Sequence, residues 1–223
     1  MDGSIRDIEG ISALADPVRR DVYSYVCEQS APVSRDQTAT ALGIPKHQAS
    51  FHLDRLEKAG LLASAYARLT GRVGPGAGRP AKVYRRRPEE VAVSLPGRQY
   101  ELAGEILACA VDESMAAGSS VRETLDAAAT RRGAALAEAT PPEATTLATA
   151  ARALRTLGYE PRIAEGRLVT GNCPFHALAA DHPALVCGMN HALLAGLCAS
   201  LGGLTAVLEP GPDRCCVVIA GHA

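Results

Sequence analysis

Tryptophan is absent and phenylalanine occurs twice, so aromatic residues make up only 4% of the chain. A core without large rings must be filled by Leu, Val, Ile and above all Ala, which favours closely packed helices. No apolar run reaches the roughly 18 residues that a bilayer crossing needs. The opening MDGSIRDIEGISALADPVRR carries acidic residues where an export signal requires an apolar stretch. The expectation is a soluble, cytoplasmic protein with no membrane partner. Seven cysteines in a chain that is not exported stay reduced, and read as thiols, metal ligands or packing and not as a disulfide framework. With 47% hydrophobic and 21% charged residues, the chain is neither wholly disordered nor collagen-like. Catalysis is not expected: no general base is paired recognisably with a nucleophile. The glycine cluster GPGAG at 74–78 is flanked by arginines and does not open a helix, as a phosphate-cradling loop must.

The 223 residues suit one large domain or two small ones, and the charge is divided unevenly between them. Residues 31–88 hold 11 basic and 3 acidic side chains, although the whole chain carries a net charge of -1. A basic module facing a polyanion, joined to a second module with another task, is the reading this supports. Asp16–Pro17 starts a helix with Val18, Val22 and Val26 on one face. Ser34 starts a second, with Thr38, Ala39 and Leu42 on one side, and Gly43 stops it. After Ile44–Pro45 a third helix buries Ala49, Leu53 and Leu56 and ends at Gly60, completing a helix-turn-helix. LLASAYARLT and VYRRR, separated by GRVGPGAGRPAK, read as a long-looped basic hairpin, so that the whole is a winged helix.

Short polar side chains on such a third helix reach base edges in the major groove, and wing cations meet phosphate or the minor groove. The candidates on the helix are Lys46, His47, Gln48, Ser50, Phe51 and Arg55, and those on the wing are Arg68, Arg72, Arg79 and Lys82. Cys27 and His52 read as packing residues. LADPVRRDVYSYV, ALGIPKHQASFHLDRLEKAGLL and GRPAKVY together resemble the ArsR-type winged-helix regulators over about residues 5–88. The cysteine-bearing helix that forms the arsenic site in many of them has no counterpart here.

Residues 89–98 form a Pro-containing linker. The remainder, 99–223, reads as an α+β dimerisation and sensor domain. Its helices are expected at YELAGEILACAVDESMAAG, from Ser120 to about Ala139, from Glu143 to Gly158 and from Pro183 to Leu201. Strand pairs are expected around Glu165–Gly166 and Gly211–Pro212, the second including RCCVVIA. The fold class is therefore mainly α with α+β, the second domain carrying a small antiparallel sheet. Five of the seven cysteines lie between residues 173 and 216, as CPFH, CGMNH, Cys198 and the pair Cys215–Cys216. On the 183–201 helix Cys187, His191 and Cys198 fall within about 40° of one another. Thiolates and imidazoles suit zinc, copper(I) or iron–sulfur chemistry, and the absence of any CxxC leaves the choice open. Cys198, deep in LLAGLCASL, reads as packing, and His182 and His222 as surface residues.

A GRPAKVY winged helix followed by NCPFH, LVCGMN and CC is similar to the SufR branch of ArsR-like regulators, repressors of iron–sulfur assembly operons. That resemblance implies an iron–sulfur cluster on Cys173, Cys187 and Cys215 or Cys216; the chain departs from the family in carrying His176 and His191, and whichever of His176, His191 or Cys198 lies nearest is the candidate fourth ligand. Zinc, or no metal at all with an organic ligand in the C-terminal domain, are the alternatives. The expected partners are a second copy of the chain and double-stranded operator DNA with an inverted repeat.

Overall fold

The computed structural model describes residues 2–68, 80–211 and 214–221, with side chains from Asp7 onward. Arg72, Arg79, Pro212 and His222 lie outside the described residues. The chain forms two compact units, Met1–Val93 and Ser94–Ala223.

In the first unit α1 (Asp2–Ala13) precedes α2 (Pro17–Glu28), β1 (Val33–Ser34), α3 (Arg35–Leu42), α4 (Lys46–Lys58), β2 (Leu62–Ala67) and β3 (Ala81–Arg86). Local chemistry sets most of these ends. The Asp16 carboxylate accepts from Arg19 N at 2.9 Å, with Pro17 in the first turn of α2. Ser34 and Gln37 form a reciprocal capping box on α3, which Gly43 closes in the left-handed conformation at φ 63°. The three strands pair antiparallel in the order β1-β3-β2. Val22, Val26, Leu53, Leu56, Leu62 and Tyr84 make the core, so α4 is pinned by its inner face while its other face stays free. Helix α1 has no counterpart among the expected elements, and neither has the two-residue strand β1.

The second unit contains α5 (Tyr100–Ala117), α6 (Val121–Ala139), α7 (Thr146–Thr156), β4 (Pro161–Ala164), β5 (Arg167–Thr170), α8 (His176–Asp181), α9 (Pro183–Leu201), β6 (Leu204–Leu208) and β7 (Val217–Gly221). Its antiparallel sheet has the order β4-β5-β7-β6. Helix α9 is the centre: Leu194 and Leu197 pack with the sheet and α7, while Met189 and Leu193 pack with α5 and α6. Contrary to the expectation from sequence, this helix is long and apolar enough to cross a membrane by length and composition. Half of the stretch is buried inside the unit, as a core helix requires. Helix α7 begins three residues later than its periodicity suggests, because Thr145 caps it by accepting from Ala148 N at 3.1 Å. The short helix α8 was not legible from periodicity.

Candidate functional site

Two sites emerge, one in each unit. In the first, α4 exposes Lys46, His47 and Arg55 and half-exposes Gln48 and Ser50. Phe51 is 56% exposed, its ring edge-on to His52 at 5.3 Å. That is a polar face with one apolar residue, presented by a helix whose Ala49, Leu53 and Leu56 are fully buried. Lys46 is also 3.0 Å from Asp36 in an exposed ion pair. Arg68 is exposed just beyond β2. Lys82 is engaged: its Nζ lies 2.9 Å from Asp54 and 2.6 Å from Glu57. Tyr66, 74% exposed on β2, stands opposite Lys82 and shares its face of the hairpin, as does the exposed Arg86, whereas the exposed Arg85 lies on the other face. The run YRRR signalled these arginines, whereas nothing in the local pattern distinguishes an outward tyrosine from an inward one in so short a strand.

Burial opposes the charge on Asp54, but hydrogen bonds from Tyr84 and Lys82 outweigh it and hold its carboxyl below the ordinary value. Glu57 is lowered likewise, against burial, by Lys82 and Ser64. Lys82 is raised, its burial outweighed by the two carboxylates. His52, 5% exposed with no hydrogen-bond partner on Nδ1, is lowered by burial, with Asp16 pulling it up and Arg19 pushing it down.

In the second unit three chain segments bring four thiols together. Cys173 follows β5 on the loop into α8, Cys187 sits in the second turn of α9, and Cys215 and Cys216 lie just before β7. Cys173 and Cys216 each interact with the Cys215 thiol, and Cys216 also with that of Cys187. Cys215 is lowered by its two thiol neighbours, whereas that interaction and burial raise Cys173 and Cys216. Both members of the vicinal pair are therefore in the group. They precede the strand and do not sit in it: Cys215 N donates to Thr170 O at 3.0 Å, and Cys216 O accepts from Glu209 N at 2.7 Å.

Fixed polar groups surround the thiols. Asn190 Nδ2 donates to Cys215 Sγ at 3.1 Å, and its Oδ1 accepts from the Tyr159 hydroxyl. The Thr170 hydroxyl is buried beside Cys215 without a partner of ordinary hydrogen-bond geometry. The Cys173 loop is clamped by Arg98, which donates to Cys173 O at 3.0 Å and to Asn172 Oδ1. Asn172 in turn donates to Gly97 O at 3.0 Å and Gly158 O at 2.7 Å.

The histidines stand elsewhere. His176 is exposed at the start of α8, and His191 Nε2 lies 3.2 Å from Ala206 O on β6. Cys198 is buried in the apolar core, which pushes its thiol up to about 12. Among the described residues no three Cys, His, Asp or Glu side chains are spaced to hold a metal ion.

Residues 14–65 match the family described as a helix-turn-helix domain. No curated protein and no solved structure matches the chain. The match spans α2, α3, α4 and the start of β2, the elements that present the polar face of α4. The first unit thus contains a helix-turn-helix domain, and its class is that of DNA-binding transcriptional regulators.

Proposed function

We propose that the chain is a winged-helix repressor of the ArsR type with SufR-like sensing, a homodimer on an inverted-repeat operator. In this reading Cys173, Cys187, Cys215 and Cys216 hold an iron–sulfur cluster, with zinc as the alternative ion. The observation that carries it is the meeting of four thiols from three separated segments beside the fixed polar groups of Asn190, Arg98 and Asn172. The donor set fits soft metal chemistry, and the partnerless Thr170 hydroxyl marks a place where the protein alone leaves a polar group unsatisfied.

When bound, such a group supplies a cross-link that depends on redox state and metal supply. The rest belongs to the chain. Asn190 orients Cys215, Arg98 and Asn172 hold the Cys173 loop, and α4 presents Lys46, His47, Gln48, Ser50, Phe51 and Arg55 to the major groove. The exposed wing residues neutralise phosphate.

Protein purified without oxygen should show charge-transfer absorption and stoichiometric iron and sulfide. Cys187→Ser should lose the chromophore and change operator affinity in gel shifts while keeping the wild-type mass in solution. A variant that keeps both metal and regulation reduces the thiols to packing, and the organic-ligand alternative replaces this reading.

A further inference from the structure

A helix that meets DNA carries an unexpected pair of acids. Asp54 and Glu57 lie three residues apart on α4 and so share one face. That face is turned toward the wing. Lys82 Nζ is 2.9 Å from Asp54 Oδ1 and 2.6 Å from Glu57 Oε2. The Tyr84 hydroxyl donates to the same Asp54 oxygen at 2.6 Å and accepts from Arg35 Nε at 3.3 Å, while the Ser64 hydroxyl donates to Glu57 Oε1. Lys82 and Tyr84 are alternate residues of β3 and point to one side of the hairpin. Lys82 Nζ also lies 5.0 Å from the Tyr84 ring centre. Arg35 opens α3, so a single polar network joins α3, α4, β2 and β3.

The Lys82 side chain is 19% exposed. An ammonium that shared out its charge between two carboxylates at these distances has little left to offer a phosphate. The Tyr84 side chain is fully buried, which fixes the acceptor geometry around Asp54.

We infer that Lys82 is a positioning residue that, with Asp54, Glu57 and Tyr84, braces the wing hairpin against the recognition helix and does not itself bind phosphate. The brace holds two DNA-reading elements at one mutual angle, so less ordering is left to be done on binding. The inference rests on the DNA-binding reading of the first unit, not on the cysteine group.

The test uses the full-length protein and the double variant Asp54→Asn/Glu57→Gln. Wild-type affinity for a duplex of random sequence is measured first and establishes DNA binding separately from the brace. The comparison then sets a selected operator against that duplex. If Lys82 contacts phosphate, removing two neighbouring anions strengthens binding to both duplexes alike. If Lys82 is a brace, the operator-over-random ratio falls roughly tenfold, a factor that corresponds to about 1.4 kcal/mol, even though the surface has become more positive. An unchanged ratio with tighter binding to both overturns the proposal.

Tyr84→Phe, which keeps the buried ring and removes one hydroxyl, guards against a simple failure to fold. Its β2 and β3 amides should exchange hydrogen faster than wild type, while those of α2 do not. Unaltered exchange in the hairpin also overturns the brace.

Discussion

Asn190 is 1% exposed among Met189, Leu193 and Leu194, and a buried amide is costly unless both its halves are used. Here they are: the Tyr159 hydroxyl occupies the oxygen, so the NH2 group is left for the Cys215 sulfur. An N–H donor to a ligating sulfur both orients it and stabilises its negative charge. If Cys215 ligates a metal as proposed, Asn190→Leu should weaken its retention by about 10–100-fold in competition with a chelator, the range for partners that orient ligands. It also strands the hydroxyl of Tyr159, a residue only 3% exposed. Adding Tyr159→Phe should recover part of the lost stability in urea unfolding but none of the metal. Metal retention equal to wild type would show that the amide serves packing only.

At the scale of elements, α6 and α9 cross where each has a glycine. A Cβ on Gly133 would stand 1.9 Å from Leu193 O, and one on Gly196 2.1 Å from Thr130 O. The obstacle is backbone in both cases, so it cannot swing away as a side chain does. Gly196→Ala should destabilise the second unit by about 1–3 kcal/mol or more, read as a lower urea midpoint. The first unit is expected to loosen in acid in two stages. His52 has a folded pKa below its unfolded one, so the stability linked to its neutral form is present above about pH 6.5 and is lost as pH falls toward the folded value. Asp16 and Arg19 are the charged groups facing it. Asp54 and Glu57 are also lowered, so their contribution is present above about pH 4 and is lost as pH falls through their folded values. Lys82 is raised by those same two carboxylates, so the contribution it shares with them goes with them in acid, and at the alkaline end it is lost as pH rises through the folded value of Lys82. Hydrogen exchange should show β2 and β3 opening in the lower window; a hairpin equally protected at pH 3 and pH 7 would contradict this linkage.

For the whole molecule, the stretch that opens the second unit is bonded to the cysteine loop: Arg98 and Gly97 contact Cys173 and Asn172, and Gln99 N donates to Pro174 O at 3.1 Å. If the thiols hold a metal as proposed, movement of Cys173 on loading is felt at residues 97–99. Arg98→Ala should keep the metal load but shrink the difference in operator affinity between loaded and metal-free protein, measured by gel shift on both forms. Much of this architecture was legible locally. Asp16–Pro17, the Ser34 and Ser120 capping boxes, Gly43, Glu165–Gly166 and Pro183 act on their own neighbours within a turn or two, and those ends lie where the sequence places them. Helix α1 repeats Ile5, Ile8 and Ile11 but holds Gly3 and Gly10 in 12 residues, and the six-residue α8 is too short to show a period; both escaped that reading. Long-range facts were decided in the tertiary structure alone. The sheet order β4-β5-β7-β6, the pairing of β1 with β3, the inclusion of both Cys215 and Cys216, the turning of His191 to Ala206, and the capture of Lys82 by α4 each join residues far apart in the chain. A local pattern specifies which face of an element is apolar and where it stops; which elements then share that apolar face is settled by the packing of all of them together.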